Sequence, residues 1–298
     1  FEPPFRYERI RALLDPRPLH DLDSLRRIQN DSASPWAERV HQRIVRPALA
    51  SPTRELGPTA ARLRTTLLAW DGQPTADSAG AAIFYVLHDH LVHRLVVDTL
   101  GDELAVAYLE LLNVSVLPLE RLLEADDPRI LRGVDVRARV TEALLEAERT
   151  LTARLGPDPS TWTWGRLHVL WNRHRMHDVA ALRPLVSVGP FPRPGDGFSV
   201  NNAHAYHSRP RDVLLGPGVR LLMDTADWSK SRVVLSTGVS GDPRSPRYRD
   251  HAQAWAEGRD FPLGFGLEAG RSGVTERLEP RHDGGHQDAS GARQRQER

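Results

Sequence analysis

No cysteine occurs among the 298 residues. That absence excludes disulfides, thiolate nucleophiles, zinc–thiolate sites and iron–sulfur ligation together. Lysine is nearly absent as well: Lys230 is the single one, so almost all of the 40 basic residues are arginine. Arginine forks suit buried and carboxylate-paired roles, although a GC-rich coding sequence gives the same bias. Charge of one sign is also missing. The formal net charge of +1 gives no electrostatic case for nucleic acid or a membrane surface as partner. No apolar run approaches the ~20 residues of a membrane span. The opening "FEPPFRYERI" has neither an initiator Met nor a signal-peptide pattern, and the expectation is a processed chain or a piece of something longer.

What is present is enough for a core. Hydrophobic residues make up 40% of the chain, and its length suits one large domain or two of about 100–200 residues each. The first part reads as helices. "FRYERIRALLD" puts Phe5, Ile10, Leu13 and Leu14 on roughly one face, and in "HDLDSLRRIQND" Asp21 is the expected N-cap. "AERVHQRIVRPAL" turns Val40, Ile44 and Val45 inward, and "RELGPTAARLRTTLLAWDG" ends at the Asp71-Gly72 turn signal. The most apolar helix follows Pro74, with Asp77 or Thr75 as its cap, small residues from Ala79 to Ala82 for close packing, and Gly101 as its stop. The clearest amphipathic pattern is Val136, Val140, Leu144, Ala147, Leu151 and Leu155, terminated by Gly156.

At "DPSTWTWGRLHVLW" the character changes to Gly, Pro, Trp and short β-like runs: "RLHVLW", "PLVSV", "GVRLLMDT" and "SRVVLST". Helices first and strands afterwards predict an α+β fold rather than a βαβ alternation. The domain reading is a mainly helical subdomain at 1–157, a β-rich part at 158–268 and a disordered tail at 269–298, where few apolar residues remain.

Self-contained catalytic motifs do not emerge. His88 and His90 in "HDHLVH" point apart on a helix, and no HExxH occurs. "NRHRMH" pairs His174 with His177 but offers only Asp178 nearby. "GVSGD" around Ser240 has Asp242 where a nucleophile elbow needs glycine. "GPFPRPGDG" lacks the Lys and Ser/Thr of a phosphate loop, and "EADDPR" lacks calcium-loop spacing. The tryptophans of "TWTWGRLH" read as core packing, because no basic field surrounds them.

Taken in order, however, "WDGQPTADSAGAAIFYVL", "WTWGRLH", "GPFPRPGDG" and "GPGVRLLMDTADWSKSRVVLSTGVSGDPRSPRYRDHAQAWAEG" are similar to the penicillin acylase (penicillin amidase) family of N-terminal-nucleophile hydrolases. The resemblance includes "PPFRYERIRALLD", covers about residues 1–265 and fades after Gly264, where "GFGLEAGRSG" replaces an expected short helix. It implies the C-terminal part of an αββα sandwich with a helical flanking subdomain. The segment Ser236 to Tyr248 becomes a fold signature, with Gly238 and Gly241 supplying unusual backbone angles. Trp162, Trp164, Asp196, Asp224 and Trp228 become scaffold, with Asp224 and Asp227 expected beside arginines.

The implied chemistry is hydrolysis of the amide of an N-acylated small molecule. A serine exposed by self-cleavage is the nucleophile, its own α-amine the base, and an asparagine side chain forms part of the oxyanion hole. The resemblance places serine and asparagine upstream of Phe1, so no nucleophile is assigned in this chain. It matches Arg6 to an arginine that holds the oxyanion asparagine; the structural alternative pairs Arg6 with Glu2 or Glu8, and neighbouring Arg9 offers a shifted register. No cofactor is expected within these residues, and calcium is implied only for the complete protein. The implied partner is the N-terminal part of the same precursor, and the implied location periplasmic or secreted. An acyl-homoserine lactone acylase and a non-catalytic remnant are the alternative readings.

Overall fold

A computed structural model describes residues 3–109, 135–205 and 212–266. Residues Phe1–Leu263 form one compact unit, and Gly264–Arg298 are separate from it. The proposed tail from 269 and the acidic "EADDPR" stretch at 124–129 lie outside the described residues.

Helices α1 (Phe5–Leu14) and α2 (Leu22–Gln29) come first. The Asp21 side chain caps α2 by accepting from Ser24 N at 2.6 Å, while α1 buries none of its residues fully. Helix α3 (Pro35–Val40) passes through a π-helical turn (His41–Val45) into α4 (Arg46–Ala50). Val40, Ile44 and Val45 are buried, as the spacing predicts. The π turn was not predicted; a single turn of this kind leaves the apolar spacing almost unchanged. Helix α5 (Pro58–Ala69) stops before Asp71.

Helix α6 (Ala79–Leu109) breaks at Gly101, whose φ of 77° is left-handed, and helix resumes beyond it. The cap differs from expectation. Ser78 Oγ accepts from Ala81 N at 3.0 Å, while Thr75 and Asp77 bond each other. Gly80 is there for contact: a Cβ would lie 2.5 Å from the Trp70 ring. Helix α7 (Val136–Leu155) buries Val140, Leu144, Ala147 and Leu151 against this bundle and ends at Gly156, φ 95°. The same helical core reaches forward to Trp162, Trp164, Leu167 and Phe198.

The short helix α8 (Trp164–Leu167) leads into β1 (Val169–Asn172); α9 (Arg183–Val186) then precedes β2 (Val188–Pro192). With β3 (His204–Ala205) and β4 (Asp212–Leu215) these strands make a sheet of order β2-β1-β4-β3, where β1 and β4 run parallel. A second, antiparallel sheet joins β5 (Val219–Leu222), β6 (Arg232–Leu235) and β7 (Phe261–Pro262) in sequence order. Leu170 and Val213 from the first sheet share a core with Val234 from the second and Trp255 of α10 (Ala252–Ala256). Helices and two sheets thus pack as the α+β prediction requires.

Two local expectations fail. Gly238 is not in the left-handed region; it is needed because a Cβ would meet Arg247 O at 2.2 Å. Gly241 has neither a positive φ nor an atom within 4 Å of a built Cβ. Among the described residues Asp224 and Asp227 do not meet arginines either. Asp224 accepts from the amides of Ala226 and Asp227, and Asp227 caps a short 3₁₀ turn and pairs with Lys230 at 3.4 Å.

Candidate functional site

Helix α1 carries Arg6 and is pinned on both sides of it. Phe5 meets Phe198 edge-on at 5.6 Å. Arg9 grips Asp31 with a two-pronged fork, Nε to Oδ1 at 3.0 Å and Nη2 to Oδ2 at 2.7 Å. Asp31 in turn accepts Asn201 N through its carbonyl at 2.8 Å. Arg6 is half-buried, and it forms no hydrogen bond or ion pair among the described residues. It does not pair with Glu8, and Arg9 is occupied by Asp31. Glu2, the other acid offered as a partner of Arg6, lies outside the described residues.

Beneath α1 lies a polar knot that the "GPFPRPGDG" motif builds. Asp196 Oδ2 accepts from Ser34 Oγ and Tyr85 Oη, both at 2.6 Å. Its Oδ1 accepts from the amides of Phe198 at 2.8 Å and Ser199 at 3.1 Å, and from Ser199 Oγ at 3.2 Å. Donors from four residues, Ser34, Tyr85, Phe198 and Ser199, thus converge on one buried carboxyl group. Burial, then the adjacent carboxylate, pushes the Tyr85 hydroxyl well above its usual pKa, so it stays a phenol and a donor. Tyr85 stacks on Trp164 at 4.2 Å, and Trp164 on His168 at 4.3 Å. Both ring nitrogens of His168 lie 2.9 Å from carbonyls, those of Arg193 and Ala203. Burial nevertheless dominates and pulls its pKa down to about 4. All of these groups are buried, and the knot fixes their positions.

A second knot is cationic. Arg193 and Arg220, 1% and 6% exposed, both donate to Asn201 Oδ1, at 2.8 and 2.7 Å. Both guanidiniums lie against the Trp255 ring, 4.5 and 4.8 Å from its centroid. Burial lowers each pKa to about 10, and for Arg220 the charge of Arg193 adds to the effect. The arginine-rich composition signalled buried arginine, but not which ones.

The histidine motifs resolve into packing. His88 meets Trp36 edge-on at 4.9 Å, and His90 bonds Thr150 Oγ1 at 2.9 Å. His177 Nδ1 lies 3.0 Å from Ser187 Oγ, but Ser187 is 2% exposed and also accepts His174 N. Ser240 Oγ accepts from Asp242 N within its own turn. Among the described residues no group of three or more His, Asp or Glu could hold a metal ion.

The family model for penicillin amidase matches residues 1–270. The chain belongs to the penicillin amidase family. Penicillin acylase 2 proenzyme of a Pseudomonas species is 31% identical, over 88% of this chain and 33% of that protein. An acyl-homoserine lactone acylase, QuiP, of Pseudomonas aeruginosa is 29% identical, over 87% of this chain and 34% of that one. The chain thus spans about a third of the length of these curated relatives. A thermostable penicillin G acylase from Alcaligenes faecalis has the same fold over 92% of this chain and 52% of its own, with a TM-score of 0.51 at 15% identity. The α+β layering described above is therefore the penicillin acylase fold, and the family is one of amide-cleaving acylases. No helix among the described residues is long and apolar enough to cross a membrane.

Proposed function

We propose that this chain is the C-terminal part of the nucleophile-bearing chain of a penicillin acylase-type amidohydrolase. The rest of the same precursor supplies the N-terminal serine. In this reading the serine hydroxyl attacks the amide carbonyl and passes its proton to the serine α-amine. That proton then goes to the departing amine, leaving an acyl-enzyme that water hydrolyses. Arg6 acts as a positioning residue: its fork holds the oxyanion asparagine and favours the negative transition state. The observation that supports this role is the half-buried Arg6, without a partner among the described residues, on a helix pinned by Phe5–Phe198 and Arg9–Asp31.

Substrate choice lies between penicillin-type amides and acyl-homoserine lactones. Relatives named for the two activities stand at nearly equal identity, 31% and 29%. Calcium belongs to this reading only as a cofactor of the complete enzyme, and export to the periplasm or medium fits the family reading. The test is N-terminal sequencing and intact mass of the natively purified protein, followed by amine release from both substrate classes. A longer chain that begins with serine, together with a companion chain, supports the reading. A native product beginning at Phe1 with no companion makes the molecule a non-catalytic remnant.

A further inference from the structure

Among the described residues, Arg193 and Arg220 are buried cations that no carboxylate answers. Arg193 donates to Asn201 Oδ1, and Arg220 to the same oxygen and to the Trp255 carbonyl. The Nε–H of each guanidinium has no acceptor. Asn201 and the Trp255 ring offer partial negative charge but no net charge. A buried charge is ordinarily paired or set against an ion, because its lost hydration is otherwise not replaced. The neighbouring arginines differ. Arg26 meets Asp23 at 3.2 Å, Arg232 meets Asp260 at 3.4 Å, and Arg259 Nε donates to Glu257 at 2.7 Å. Those three acids balance those three arginines, and the buried pair keeps its positive charge.

The same residues frame a place for a counter-ion. Where α2, β5, β6 and the turn after α10 meet, Arg26, Arg220, Arg232, Arg259 and Asp260 wall a cavity of about 10 Å³. That is room for one water-sized species, which excludes sulfate, phosphate and any carboxylate-bearing metabolite. Four of these five side chains are guanidiniums. Asp260 faces two of them, Arg26 at 3.9 Å and Arg232 at 3.4 Å, although its Oδ2 accepts no hydrogen bond. Water satisfies hydrogen bonds in such a place but carries no charge; a monatomic anion accepts from the N–H groups and offsets the charge as well. We propose that this cavity binds one chloride ion against Arg220, with Arg193, held on the same Asn201 oxygen, adding to the positive field. The ion ties α2 to the second sheet and to the turn after α10, and the proposal does not depend on the acylase reading.

Two measurements on the natively purified full-length protein test it together. The first is crystallography with bromide replacing chloride, read by anomalous scattering. The second is thermal unfolding at fixed ionic strength as gluconate is exchanged for chloride, up to about 0.15 M. The expected result is an anomalous peak within hydrogen-bond reach of the Arg220 guanidinium. The unfolding midpoint is expected to rise with chloride, by at least about 2 °C, as linkage to a bound ion requires. Density at Arg220 without anomalous signal is water and overturns the proposal. So does a carboxylate from another segment of the full-length protein in that place. A peak without any chloride dependence of unfolding is an adventitious ion only, and chloride-dependent unfolding without a peak there puts the ion elsewhere; either result overturns the proposal. Arg220→Met keeps the apolar stem beside Trp255 without the charge, and is expected to lose both the peak and the chloride dependence. A folded Arg220→Met protein that retains both also overturns the proposal, and if the variant does not fold the two wild-type measurements still decide.

Discussion

Tyr85 donates to the carboxylate of Asp196 at 2.6 Å across 111 positions of sequence. That bond ties α6 to the loop after β2, and Ser34 adds the start of α3 to the same oxygen. The helical core and the strand-forming half are therefore joined by a buried carboxyl acceptor. Removing one donor leaves part of that acceptor unsatisfied, which typically costs ~1–3 kcal/mol for a buried polar group. Tyr85→Phe is expected to lower unfolding free energy by about 2 kcal/mol. Asp196→Ala strands several donors at once and is expected to cost more. Urea unfolding of both variants checks the order; a neutral Tyr85→Phe would mean that the loop is held without this bond.

The segment from Ser236 to Tyr248 yields a paired test. A Cβ on Gly238 collides with Arg247 O at 2.2 Å, backbone that cannot move aside cheaply. Gly241 meets nothing within 4 Å. Gly238→Ala is expected to cost about 2–3 kcal/mol, as overpacking does. Gly241→Ala is expected to change stability by less than about 1 kcal/mol, in either direction. Thermal unfolding of the two variants side by side decides the point, and equal effects would contradict the close packing of this loop.

The periodic elements were legible because burial follows apolar spacing. Val140, Leu144, Ala147 and Leu151 recur at helical intervals and all four are buried. Turn chemistry was half legible. Asp21 caps α2 as predicted, yet Ser78 rather than Asp77 or Thr75 caps α6, since three capping residues in four leave the first helical residue undecided. The site was less legible still. The Asp196 knot joins residues 34, 85, 196 and 199, and no local pattern encodes contacts across such separations. Arg193 and Arg220 look like any other arginine in a sequence with 40 basic residues; their burial follows from the turn after β2 and from strand β5, which set both against Trp255. Function was readable through ordered family resemblance alone, because the groups expected to do the chemistry are not among these residues.

His168 makes stability depend on pH. Burial holds its folded pKa at about 4, below the ~6.5 of an unfolded histidine. The unfolded chain therefore binds the extra proton between those values, and stability falls as pH drops through that window. The contribution is complete above pH ~6.5, and about 3 kcal/mol of it has been lost once pH has fallen to ~4. His168→Gln is expected to be less stable at pH 7 but flatter in urea midpoint between pH 6.5 and 5, before most carboxylates titrate. Parallel pH profiles for the two proteins would show that His168 is not the group responsible.

Arg6 and Arg9 stand three residues apart on one helix and are expected to separate activity from stability. Arg9 is committed to Asp31 by a fork that is partly shielded from water, at 32% and 17% side-chain exposure. Arg9→Ala is expected to lower stability by about 1 kcal/mol, the upper part of the range for such pairs. Arg6 has no partner among the described residues, so Arg6→Ala is expected to leave the unfolding midpoint nearly unchanged. Under the proposed role, in which Arg6 holds the oxyanion asparagine of the complete enzyme, kcat is expected to drop by about 10–100-fold with KM little affected, less than the 10²–10³ of removing an oxyanion donor itself. Arg6→Lys keeps the charge without the fork and is expected to recover only part of that loss. Steady-state kinetics of both variants beside their unfolding curves make the comparison. Unchanged kcat in a stable Arg6→Ala protein would remove Arg6 from the catalytic apparatus and leave it as a surface arginine of α1.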